Sequence, residues 1–201
     1  VSVLATDEFM EAVINDGDFD LRWNGKTHKT LKARDLWDKI ISNAHASAEP
    51  GVIFWDRMKS HHNVEYANPL TTTNPCGEQP LPSYTACNLG NINLLMFVRE
   101  DGTFDKEDLK ATTRIATRFM DNVVEYNMPN HALPKIQEAV AKDRRVGLGI
   151  TGLADALAAM KIRYDSDDAL KATEEIMQTI CYEAYDESVE LAKERGAFPA
   201  F

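Results

Sequence analysis

Apolar positions change period several times along the chain, and each change marks an element. Val1-Ser2-Val3-Leu4 is strand-like, and Thr6 then caps a helix with Phe9, Met10, Val13 and Ile14 on one face, ending near Asn15-Asp16-Gly17. Phe19, Leu21 and Trp23 alternate with polar residues up to Asn24-Gly25, a strong hairpin-turn signal. Helical spacing returns over 33–46 with Leu36, Trp37, Ile40, Ile41 and Ala44. Pro50-Gly51 ends that run, and Val52-Ile53-Phe54-Trp55 reads as a buried strand. Residues 56–73 are polar and irregular, and a loop is expected there. Prolines at 75, 80 and 82 argue against a central strand before about Thr85. Beyond it Cys87, Leu89, Asn91 and Asn93 alternate with Asn88, Gly90, Ile92 and Leu94, which puts Cys87 at or near the start of a strand.

The second half carries the longer helices. Asp105 opens one with Leu109, Thr112, Ala116, Phe119, Met120 and Val123 on a stripe, closed by Met128-Pro129. Pro134 begins another with Ile136, Ala139 and Val140; Val146 to Ile150 reads as strand and Leu153 to Met160 as helix. Ser166-Asp167-Asp168 caps the longest, which carries Leu170, Thr173, Met177, Ile180, Cys181, Ala184, Ser188 and Leu191 and ends at Gly196. Strands alternating with helices predict an α/β architecture. No repeat, low-complexity tract or linker is evident, and 201 residues suffice for one sizeable core, as a single domain or part of a larger one.

Charge narrows the function classes. A formal charge of -10, without a basic run to neutralise phosphates, argues against sequence-independent binding to a nucleic-acid polymer. No apolar run approaches the ~20 residues of a membrane span, and no basic-then-apolar leader opens the chain, so a cytoplasmic setting is the default. Three cysteines without a CxxC pair make neither a disulfide framework nor a closed zinc site. The five histidines form no ligand pattern, His61-His62 reads as a polar loop feature, and no metal site is expected. Asp7, Glu8, Asp105, Asp108, Asp167 and Asp168 fall in first helical turns, where the helix dipole accounts for them.

The chemistry concentrates at Asn74-Pro75-Cys76-Gly77-Glu78. If this segment is extended, an amide, a thiol and a carboxylate project from one face while Pro75 and Gly77 turn away. A carboxylate disfavours the thiolate that ordinary cysteine chemistry needs, so one-electron chemistry suits the pair better. A lone cysteine is most often a buried core thiol, which is the reading for Cys181 among Met177, Ile180 and Ala184. A rival site is Gly147-Leu148-Gly149-Ile150-Thr151-Gly152, which satisfies G-x-G-x-x-G with Asp165 to Asp168 beyond it. Only Val146 separates it from the charged run Lys142 to Arg145, so a glycine-rich strand packed closely under a helix explains it better than dinucleotide binding.

Asn74 to Leu81 and Cys87-Asn88-Leu89-Gly90 resemble the active-site finger loop and following strand of ribonucleotide reductase catalytic subunits, most closely the adenosylcobalamin-dependent class. Thr6 to Met10, Gly51 to Asp56 and Arg144 to Gly149 extend the resemblance nearly end to end. Ser83 and Thr85 depart from it without touching the central motifs. The resemblance implies an internal portion, 1–201, of a ten-stranded α/β barrel with the active-site loop inside, in a chain several times longer and inactive as a piece. It implies reduction of ribonucleotides to 2′-deoxyribonucleotides. Cys76 becomes a thiyl radical and removes the ribose 3′-hydrogen, Glu78 accepts the 3′-hydroxyl proton, and Asn74 binds the sugar hydroxyls. Asn74, Pro75, Cys76, Gly77 and Glu78 together form the substrate-binding loop. Cys87 and a partner cysteine preceding Val1 supply two electrons as a disulfide forms. Adenosylcobalamin is the implied radical generator, with a separate metal-containing subunit as the alternative. The implied partners are a ribonucleotide, a thioredoxin-like or dithiol reductant, the rest of the catalytic subunit and a second copy in a homodimer. Two other functions compete with this reading: a non-catalytic interaction piece, and a nicotinamide-dependent oxidoreductase using Gly147 to Gly152.

Overall fold

The computed structural model describes residues 1–201. They divide into two compact units, Val1–Pro82 and Ser83–Phe201. No shift in composition marks that division, which is why no linker is legible there.

In the first unit β1 (Ser2–Ala5) runs parallel to β4 (Gly51–Phe54), with Ser2 opposite Gly51 and Ala5 opposite Phe54. Between them lie α1 (Asp7–Ile14), the antiparallel hairpin β2 (Asp18–Trp23) and β3 (Lys26–Lys32), and α2 (Ala33–Ser47). Thr6 caps α1 as expected, its hydroxyl accepting from the Phe9 N–H at 3.2 Å. Asn24 and Gly25 both take positive φ, the conformation that a tight hairpin turn needs. Ala5, Phe9, Val13, Ala33 and Ile40 form the core, with Phe19 edge-on to Phe9 at 5.0 Å.

Two expectations for this unit need correction, whereas the absence of a central strand before Thr85 holds. The strand over 52–55 is not buried: β4 has only one partner, Phe54 is exposed, and Trp55 already belongs to α3 (Trp55–Ser60). The stretch 56–73 holds that helix and then β5 (Leu70–Thr73), so it is not all loop. Despite its two prolines, β6 (Pro80–Pro82) pairs antiparallel with β5. A three-residue strand with a single neighbour tolerates the missing N–H donors.

In the second unit β7 (Asn88–Asn93) and β8 (Val146–Thr151) are parallel, in register from Asn88 opposite Val146 to Asn93 opposite Thr151. The helices are α4 (Lys106–Asn127), α5 (Pro134–Asp143), α6 (Leu153–Ala159) and α7 (Asp167–Arg195). Ile92, Leu94, Phe97, Leu109, Ala156, Ile176 and Ile180 are the core. A Cβ on Gly90 would stand 3.1 Å from Met120 Sδ, so that glycine lets α4 lie close over β7.

The buried stripes of the two long helices are rotated from those expected. On α4 the buried residues are Leu109, Thr113, Thr117, Met120 and Val124, whereas Phe119 is exposed. Thr113 and Thr117 bury at little cost because their hydroxyls donate to the Leu109 and Thr113 carbonyls, at 2.8 and 2.9 Å. On α7 Ile176, Thr179, Ile180, Glu187 and Leu191 are buried, while Leu170 and Cys181 are exposed. Glu187 is tolerated because Arg118 Nε donates to it at 2.7 Å. No helix is long and apolar enough to cross a membrane.

Candidate active site

The Asn74 to Glu78 segment is a turn at the tip of the β5–β6 hairpin, not an extended strand. The Gly77 N–H donates to the Asn74 carbonyl at 3.1 Å, closing a β-turn with Pro75 and Cys76 at its centre. Asn74 ties the base of the loop. Its backbone N–H donates to the Gln79 carbonyl at 3.1 Å, and its side-chain Oδ1 accepts from the Gln79 N–H at 3.0 Å. Thr73 Oγ1 adds a bond to the Asn74 carbonyl at 2.9 Å. Gly77 has φ +86°, a conformation in which any side chain is strained. The common face expected from strand alternation is therefore replaced by a turn that lifts Cys76 and Glu78 into the open, both exposed. Oδ1 is thus engaged, whereas the Asn74 Nδ2 group can still donate.

Cys87 lies in the second unit, immediately before β7, where the alternation puts it. It is half-buried, and its Sγ lies 3.5 Å from the Asn88 carbonyl, to which it donates. Burial pushes the Cys87 thiol up from its ordinary range, and the nearby Arg145 cation pulls it back down. Arg145 lies in one of the stretches that carry the family resemblance, yet the sequence assigns it no role. The signal for one is its place immediately before β8, the strand that pairs with β7.

The family model for the ribonucleotide reductase barrel domain matches residues 1–201. The chain belongs to the ribonucleotide reductase family. It is 40% identical to a vitamin B12-dependent ribonucleoside-diphosphate reductase of Thermoplasma acidophilum, over all of this chain and 26% of that one. It is 39% identical to a protein of the same name from Mycobacterium tuberculosis, over 29% of that chain, and 37% identical to a vitamin B12-dependent ribonucleotide reductase of Agrobacterium fabrum, over 16% of it. The chain thus spans less than a third of the length of these relatives.

The remaining candidates resolve into packing. Asn91 and Asn93 of β7 lie against the glycines of the G-x-G-x-x-G stretch: a Cβ on Gly149 would stand 2.6 Å from Asn91 Oδ1, and one on Gly152 2.5 Å from Asn93 Oδ1. The strand is glycine-rich because amides of its neighbour cross it; the helix contact expected at these glycines falls on Gly90 instead. Cys181, expected in the core, is exposed on α7. His61 and His62 close α3, with ring nitrogens on the Arg57 and Asn68 carbonyls at 2.9 and 3.0 Å. No group of three His, Cys, Asp or Glu is placed to hold a metal ion.

Proposed function

We propose that residues 1–201 supply the active-site loop and several barrel elements of a ribonucleotide reductase that converts ribonucleotides to 2′-deoxyribonucleotides by thiyl-radical chemistry. The observation that carries this reading is the Asn74–Gly77 turn, which presents the Cys76 thiol at the tip of a hairpin in a chain matched throughout by the family's barrel-domain model. Cys76 abstracts the 3′-hydrogen, Glu78 takes the 3′-hydroxyl proton, and Asn74 donates from Nδ2 to a sugar hydroxyl. Pro75 and Gly77 shape the loop around the sugar. Cys87, with a cysteine outside residues 1–201, gives the two electrons that reduce C2′ as its hydroxyl leaves as water. An exposed thiol must be shielded for such chemistry, and the ten-stranded barrel completed by the rest of the subunit is the cover this reading requires.

The relatives' names point to adenosylcobalamin as the radical generator. Cys76 fits as the hydrogen donor to such a group, since a thiol at an exposed turn can be approached by a bulky molecule. When bound, the cofactor would supply the acceptor for the Cys76 hydrogen atom. The other partners under this reading are a dithiol reductant and a second copy of the subunit, in the cytoplasm.

Cys76→Ser in the full-length protein tests the assignment. The hydroxyl preserves the size of the side chain but is a far poorer hydrogen-atom donor, so deoxyribonucleotide formation should fall by at least about a thousandfold while the fold is retained. Turnover within tenfold of the parent would sink the radical role.

A further inference from the structure

We propose that Arg145, seated on the buried carboxylate of Asp143, is a positioning residue that offsets part of the burial of Cys87 and so favours its thiolate during exchange with a dithiol reductant. The inference rests on the redox role proposed for Cys87 and adds the group that tunes it.

The geometry comes from the parallel pair. Asn88 of β7 is opposite Val146 of β8, so the residues that precede them, Cys87 and Arg145, enter the sheet side by side. The Arg145 side chain is only 17% exposed and that of Asp143 1%, and their charged atoms stand 3.6 Å apart. A cation at such a site is weakly screened by solvent, and Asp143 offsets part of its field. The cation opposes the effect of burial on the Cys87 thiol. The other charges at this end of the sheet engage one another: Arg144 bonds to Asp121 and Glu125 of α4, and Arg195 of α7 also bonds to Asp121. Arg145 acts on Cys87 against the effect of burial.

The exchange balances as follows. A thiolate of the external dithiol attacks the partner sulfur of the Cys87 disulfide; one S–S bond forms, the old one breaks, and its electron pair leaves on Cys87 as a thiolate beside Arg145. The dithiol's second thiolate then displaces the partner cysteine. The dithiol ends as a disulfide, the two cysteines gain two electrons, and they take up the two protons that the dithiol lost. Stabilising the leaving thiolate speeds the first step and selects which sulfur is attacked.

The test is iodoacetamide alkylation of the reduced full-length protein from pH 6 to 10, with each cysteine followed by mass spectrometry. Arg145→Met should slow alkylation of Cys87 by about tenfold at pH 8, and by a similar factor at every pH below 9. Cys76 and Cys181 should keep their rates, and Arg145→Lys should restore Cys87 to within about threefold, since it keeps the charge. An unchanged Cys87 profile in Arg145→Met, or no recovery with Lys, would overturn the proposal. If Arg145→Met disturbs the fold, seen as altered rates at Cys181, Asp143→Asn decides. Freed of its counter-charge, Arg145 should then make Cys87 react faster, and an equal or slower rate overturns the proposal. Alkylation needs no turnover, so this result stands apart from the redox role of Cys87, which disulfide mapping after turnover reads separately.

Discussion

Gly77 shows how one residue sets the geometry of the site. Its φ of +86° closes the turn behind Cys76, and open space surrounds the position, so a substitution there acts through the backbone alone. Gly77→Ala should cost the loop about 1–2 kcal/mol of conformational energy and lower turnover of the full-length enzyme without unfolding it. Turnover equal to the parent would show that Cys76 does not depend on the turn. That these residues form a loop shaped by Pro75 and Gly77 was legible, because neither of those two suits the interior of a strand. Their conformation was not, since Pro75 suits two backbones. Proline biases the residue before it toward extended geometry, but it also favours the second position of a β-turn, with Asn before it and Gly two places after it. The hydrogen bond from Gly77 to Asn74 decides for the turn. Tuning of Cys87 by Arg145 was hidden for a different reason: 58 positions in sequence separate the two, and only strand pairing brings them together.

Element boundaries followed caps and breakers closely. Thr6, Asp105 and Ser166 each accept a backbone N–H at a helix start, and Asn24-Gly25 turns the first hairpin. Helix facing was harder to read. Large apolar residues such as Phe119 and Leu170 draw a stripe to themselves, whereas the buried faces use Thr113, Thr117, Thr179 and Glu187. Such residues become interior when their polar atoms have partners: the carbonyl four residues back for the threonines, Arg118 for Glu187. Leu109 belongs to both the expected and the observed stripe, and it is fully buried. Leu109→Ala should therefore destabilise the second unit by about 2–5 kcal/mol, read as lost hydrogen-exchange protection in α4 and α6. A loss below about 1 kcal/mol would mean that α4 packs by another face.

At the scale of the molecule, α/β alternation was legible, but the division into two units was not, because no Pro/Gly-rich or charged linker announces it. The strands lie in four two-stranded sheets, so each sheet carries open edges. Ile115, Phe119 and Tyr126 of α4 and Tyr182 and Tyr185 of α7 stand exposed. Unpaired edges and uncovered apolar side chains are what the proposed barrel would complete in the full-length subunit. The central claim divides labour between two cysteines: Cys76 starts and ends each cycle as a thiol, whereas Cys87 ends it oxidised. The most direct test is mass mapping of all cysteines after a single turnover of the full-length enzyme without reductant. The account predicts Cys87 in a disulfide with a cysteine outside residues 1–201, with Cys76 and Cys181 free; a Cys76–Cys87 disulfide as the main product, or Cys87 still reduced, would contradict it.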